Sequence, residues 1–126
     1  AGHEDPLKDT SSVNWKSLAT AVDTLVILMG VGNIQTIVAE LIVDGRDANT
    51  PAAAVSYGTT TKQQTITSTL VALPKTIELA DIGAPAAIII GEVVKLRDQL
   101  SWFVHDITPQ LQNAEQTVTA WAGMLE

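Results

Sequence analysis

Residues 24–42, TLVILMGVGNIQTIVAELI, constrain the fold more than any other part of the chain. Leu25 to Met29 is an unbroken aliphatic run with no polar alternation. It reads as a strand buried on both faces, as in parallel sheets. Gly30 and Gly32 then break the strand. Ile34, Ile37, Val38, Leu41 and Ile42 recur at helical spacing, so a helix follows, with Asn33 as its N-cap and Gly45 in the C′ position. A strand that turns on glycine into a helix N-terminus is one half of a small-molecule cradle. Glycines also serve any tight strand-to-helix turn, and that plainer reading stands beside the first.

A dinucleotide reading of Gly30-Val31-Gly32 fails on spacing. The fingerprint needs a third glycine three residues on, where this chain has Gln35. It also needs an acidic residue after the following strand, and Ser56 stands near that position.

The remaining elements alternate. Asn14 caps a short helix over residues 15–21, and Pro51 opens a strand over 52–57, closed by Gly58. Threonines 59–61 form a loop before a half-exposed strand over 64–70, rich in β-branched residues. Residues 73–82 read as a helix with Pro74 in its first turn and Gly83 as its stop. Residues 86–90 read as a second fully buried strand. Residues 92–100 read as a helix with Val93, Val94, Leu96 and Leu100 inward. The expected class is therefore α/β.

Fourteen acidic against seven basic residues give a net charge of −7, which disfavours nucleic-acid binding. Without cysteine, disulfides, zinc fingers and thiol nucleophiles are excluded. No apolar run approaches the length of a membrane span, and no signal peptide is visible, so a cytoplasmic address is expected by default. His3 and His105 have no evident orienting partner, and no serine lies in a G-x-S-x-G elbow. Neither a catalytic constellation nor a metal site is expected within this chain.

The order of the pieces is similar to a known family. Gly2-His3-Glu4 comes first, then Asp23-Thr24-Leu25-Val26 leading to Met29-Gly30. Gly45-Arg46, Thr50-Pro51, and Gly58-Thr59 through Lys62-Gln63 follow in turn. The fullest match is Pro85-Ala86-Ala87-Ile88-Ile89-Ile90-Gly91-Glu92-Val93-Val94-Lys95-Leu96-Arg97, ending in Leu100-Ser101-Trp102-Phe103. On these residues the chain resembles the C-terminal subdomain of the uroporphyrinogen-III C-methyltransferases, within the tetrapyrrole methylase family.

The resemblance implies residues 1–103 as that subdomain, with a mixed sheet flanked by helices. It implies a parent enzyme that moves methyl groups from S-adenosylmethionine to uroporphyrinogen III, giving precorrin-2 for sirohaem and cobalamin, with S-adenosylhomocysteine as product. The active site would lie in a cleft between two halves. This chain would form one wall of it and be inactive alone. Carried over residue by residue, the donor contacts are Met29 and Gly58. A polarizable methionine suits an adenine face or a thioether, and glycine at a strand end admits a ligand close to backbone. Gln64 stands where the family often has arginine. With a net −7, the basic groups for a carboxylate-rich substrate should come mostly from the other half.

Residues 104–126 fall outside the resemblance. Thr108-Pro109 reads as N-cap and N1, and Leu111, Ala114, Val118, Trp121 and Leu125 form a narrow apolar seam on an additional C-terminal helix. That helix would pack on its own domain, join two chains or serve as a linker to a further domain, and a homodimer is expected. The alternatives are another precorrin methyltransferase, a non-catalytic dimerisation module, or a nucleotide-binding regulatory domain.

Overall fold

The structure, a computed structural model, describes Gly2 and residues 12–100. The chain divides into two compact units, Ala1–Lys95 and Leu96–Glu126. The expected helix within residues 104–126 lies outside the described residues.

The first unit holds α1 (Trp15–Ala21), β1 (Leu25–Leu28), a 3₁₀ turn (Val31–Asn33), α2 (Ile34–Val43), β2 (Pro51–Ser56), β3 (Gln64–Thr69), α3 (Leu73–Leu79) and β4 (Ala86–Ile90). The strand order is β1-β4-β2-β3. Each neighbouring pair is antiparallel. The α/β class stands, but in place of the expected mixed sheet the described strands pair antiparallel throughout. β4 arrives from α3 against the direction of both its neighbours.

Register divides the sheet into two faces. Leu25–Ile90–Ala52–Ser68 and Ile27–Ile88–Ala54–Ile66 form rows on one face. Buried members of these rows share a single core with Trp15 and Ala19 of α1, Ile34, Ile37, Val38 and Leu41 of α2, and Leu73 and Ile77 of α3. Large isoleucines on β4 stand beside alanines on β2, so the helices settle against an interdigitated surface. The opposite face carries Val26–Ile89–Ala53–Thr67 and Leu28–Ala87–Val55–Thr65.

Here the buried-on-both-faces reading of residues 25–29 needs correcting. Val26 and Leu28 are 56% and 58% exposed, and β1 alternates buried and open. β4 is likewise buried fully only at Ile88 and Ile90. An antiparallel sheet with helices on one face leaves alternate side chains uncovered.

Local chemistry sets most element ends. The Asn14 side chain accepts from the Ser17 N–H at 2.9 Å, as an N-cap does. α2 ends with Gly45 at φ 108. α3 stops sooner than expected: Asp81, at φ 52, takes the left-handed position, and the Ile82 N–H donates to the Ile77 carbonyl. Aspartate tolerates that conformation better than most residues, so Gly83 is not needed as the stop.

Residues 92–100 form a 3₁₀ segment (Glu92–Leu96) followed by a short helix, α4 (Arg97–Leu100). Val93, Leu96 and Leu100 are exposed rather than inward. Three residues per turn distributes side chains differently from the 3.6 spacing assumed for them. Among the described residues no helix is long and apolar enough to cross a membrane.

Candidate functional site

β1 and β2 both run antiparallel to β4, so they run parallel to each other with β4 between them. Their C-terminal ends therefore lie at one edge of the sheet, two strand spacings or about 10 Å apart. β4 starts at the same edge, just after the cis Ala84–Pro85 peptide. Met29 follows the end of β1, and Tyr57-Gly58-Thr59 follows the end of β2. Local patterns put Met29 and Gly58 after separate strands. Strand order brings them to one rim.

Backbone geometry at this rim is unusual. Four non-glycine residues among those described have positive φ: Met29 (58°), Tyr57 (47°), Thr59 (67°) and Asp81 (52°). Three of the four stand at the rim. A left-handed L-residue costs roughly 1–2 kcal/mol, and such costs concentrate at functional sites.

The cause at Met29 is visible in its neighbour. Gly30 is buried, and a Cβ there would meet Ile27 Cγ2 at 2.8 Å and Ile88 Cδ1 at 3.2 Å. Only glycine lets the chain turn this tightly onto the core. Met29 is turned outward as a result and is 58% exposed. Gly2 fits beside this turn, donating its N–H to the Leu28 carbonyl at 3.1 Å. Gly32, the second glycine of the pair, has nothing within 4 Å of its would-be Cβ. The turn needs Gly30, and Gly2 packed against it, where a Cβ would meet Gly30 Cα at 2.6 Å, but not Gly32. Asn33 stands at the N-cap position of α2 but makes no side-chain cap bond there; its Nδ2 donates to the Gly2 carbonyl at 3.3 Å instead.

On the β2 side the turn is held from within. The Tyr57 N–H donates to the Pro85 carbonyl at 3.2 Å. The Tyr57 carbonyl accepts from the Thr60 N–H at 3.2 Å and from Thr60 Oγ1 at 2.7 Å. Thr59 donates its N–H to Gln63 Oε1 at 2.7 Å. Gly58 is exposed between two left-handed residues, and a Cβ on it would make only ordinary contact, 3.5 Å from Val55 Cγ1. No contact among the described residues demands glycine there. Gln64, opposite Ser56 at the start of β3, is exposed at the same edge.

Reasoning from sequence singled out Met29 and Gly58, quoted Thr59 and Gln63 only as part of the matched loop, and gave Tyr57 no role at the rim. Left-handed conformation in a tyrosine or a threonine leaves no compositional mark. His3 and His105 lie outside the described residues. Among the described residues no group of three or more His, Asp and Glu could hold a metal ion.

Comparison with known proteins points in one direction. Residues 3–74 match the model of the family described as Tetrapyrrole (Corrin/Porphyrin) Methylases. A siroheme synthase from Pseudomonas entomophila (strain L48) is 50% identical over 98 residues, which cover 77% of this chain and 21% of that protein. A uroporphyrinogen-III C-methyltransferase from Bacillus subtilis (strain 168) is 44% identical over 96 residues, covering 76% of this chain and 37% of that one. The chain thus spans about a fifth to two fifths of the length of these relatives.

Among solved structures, the uroporphyrin-III C-methyl transferase of Thermus thermophilus complexed with S-adenyl homocysteine superposes with a TM-score of 0.60 at 33% identity. That match covers 67% of this chain and 37% of the other. A cobalt precorrin-4 methyltransferase gives the same TM-score at 20% identity, a likeness of fold. With a family model matching more than half of the chain, and the same fold in solved relatives, this chain belongs to the tetrapyrrole (corrin/porphyrin) methylase family.

Proposed function

We propose that this chain forms one wall of the methyl-donor site of a uroporphyrinogen-III C-methyltransferase, with Met29 and Gly58 touching S-adenosylmethionine. One observation carries the reading: the two residues flank β4 at a single sheet edge, Met29 itself left-handed and Gly58 set between the left-handed Tyr57 and Thr59. The rim suits such a molecule. Met29 offers a polarizable, solvent-facing thioether. Gly58 leaves backbone open to close approach.

The donor, when bound, supplies a methyl group on a sulfonium. This chain's own part is positional: it holds the donor so that a pyrrole carbon, already nucleophilic, can meet it in line. The solved Thermus relative complexed with S-adenyl homocysteine supports the ligand class. The relatives named for uroporphyrinogen III and siroheme support the acceptor and the route to sirohaem through precorrin-2. No catalytic residue is assigned within the chain. Its net charge of −7 opposes a carboxylate-rich acceptor, so basic contacts to that acceptor come mostly from the other half of the parent enzyme.

Titration calorimetry of S-adenosylhomocysteine into the chain tests the reading. Binding that weakens several-fold in Met29→Ala is expected. Equal affinity in both proteins would refute contact by Met29, and no binding by either would refute a half-site preformed in this chain.

The open sheet face favours a second, compatible feature. Val26 and Leu28 are exposed beside Ile89, Ala87 and Val55, an apolar surface of the kind that self-associates. A homodimer through this face is the expected state. Light scattering should give a dimer mass that falls to the monomer in the Val26→Ser, Leu28→Ser double variant. A monomer at the outset disposes of it.

A further inference from the structure

Thr59 is a β-branched residue at φ 67, a conformation that threonine does not adopt without being held there. Its N–H points at Gln63 Oε1, 2.7 Å away. A backbone N–H accepts nothing, so the donor itself dictates which end of the Gln63 amide faces it. Gln63 is in turn fixed at its own backbone, where its N–H donates to the Thr60 carbonyl at 3.1 Å. Thr60 Oγ1 bonds the Tyr57 carbonyl and accepts from the Lys62 N–H at 3.2 Å. Residue 64 then enters β3, paired with Ser56. The loop is thus closed on itself, its base is set by strand register, and the Thr60 and Gln63 side chains both reach back within it.

We propose that Gln63 is a positioning residue: its amide oxygen holds Thr59 left-handed and so presents the Tyr57-Gly58-Thr59 rim to the donor. This rests on reading that rim as a donor wall. Gln63 itself does not touch the ligand; it acts through the Thr59 amide. The rim then needs no rearrangement when the ligand arrives, which is how a preorganised loop gains affinity.

The test uses the full chain, labelled with nitrogen-15. Gln63→Met keeps the length of the side chain and removes the acceptor. Gln63→Glu keeps an acceptor at the same reach. Two quantities are read: hydrogen exchange at the Thr59 amide, and affinity for S-adenosylhomocysteine. One hydrogen bond is worth roughly a tenfold change in each. Gln63→Met is expected to speed Thr59 exchange and weaken binding by about that factor, with unchanged far-UV circular dichroism, while Gln63→Glu restores both.

An unchanged Thr59 amide in Gln63→Met overturns the proposal. So does a freed amide with unchanged affinity, because the loop would then be set without serving the site. Failure of Gln63→Glu to restore either quantity shows packing rather than the bond, and also overturns it. No binding by the wild-type chain overturns a rim preorganised for the donor in this chain, and the positioning role with it. That outcome is told apart by the Thr59 amide, which still reports the hold of Gln63.

Discussion

Gly91→Ala tests how the far end of the sheet is fastened. Gly91 follows β4, at φ 145, with its N–H on the Pro51 carbonyl at 2.8 Å. A Cβ there would meet the Asp23 carbonyl oxygen at 2.6 Å, Thr24 Cα at 3.2 Å and Thr24 Oγ1 at 3.3 Å. The Asp23 oxygen has little freedom to retreat. Arg46 Nη2 donates to it at 2.7 Å, while Arg46 Nη1 holds the Val22 and Ala19 carbonyls at 2.5 and 3.2 Å.

Backbone strain at such a φ costs roughly 1–3 kcal/mol, and overpacking against backbone about 1–3 more. The reduced freedom of the unfolded chain returns about 0.4–1 kcal/mol. A net loss of about 3 kcal/mol is expected, or roughly 12–24 °C in Tm for a domain of this size. Urea unfolding followed by far-UV circular dichroism measures it. Arg46→Met in the same background frees the Asp23 carbonyl, so the double variant should fall short of additivity by about 1 kcal/mol. A Gly91→Ala loss below about 0.5 kcal/mol, within the range of ordinary surface changes, would refute the clash. Strict additivity would refute the part given to Arg46.

Two further outcomes follow from the same geometry. Ile27→Ala should cost about 2–5 kcal/mol, while Val26→Thr, one residue away on the open face, should stay within about 0.5 kcal/mol. Equal losses in urea unfolding would contradict the one-sided sheet. At Met29, glycine and alanine remove the same side chain but differ at φ 58. Met29→Gly should therefore be more stable than Met29→Ala by about 1 kcal/mol, and the reverse order in Tm would mean that the left-handed turn is absent.

Helical positions were largely legible in the sequence, because caps and periodicity are local. Asn14, Gly45 and the Ile34–Leu41 stripe mark α1 and α2 from residues close at hand. β1 was not fully legible. Leu25-Val26-Ile27-Leu28 is aliphatic at each position, so nothing in it distinguishes one covered face from two. That difference comes from where the helices pack, which the strand itself does not encode. Residues 92–100 misled for a related reason: their apolar spacing suits an α-helix, whereas the chain tightens to 3₁₀. At the rim, Met29 and Gly58 were singled out through a family resemblance and not through pattern. Gln63, though quoted within the matched loop, was given no role because its partner is a backbone amide four residues earlier.

Strain and fastening occupy opposite ends of this sheet, and their sizes explain why. Three left-handed residues at the rim cost roughly 3–6 kcal/mol together, a large share of the 5–15 kcal/mol by which a domain is stable. Such a cost persists only where the surroundings forbid relaxation. At Met29 the buried Gly30 and the isoleucines beneath it do so; at Tyr57 and Thr59 it is the bonds to Pro85, Thr60 and Gln63. The offset must come from elsewhere in the fold. The far end supplies part of it, where Arg46 ties three carbonyls of the α1–β1 segment and Gly91 admits that segment against β4. Substitutions at the far end should therefore lower stability with little change in rim geometry. Relaxing the rim should do the opposite, leaving stability level or higher while ligand affinity falls. A chain whose rim could relax without losing affinity would have no physical reason to hold Met29, Tyr57 and Thr59 as it does.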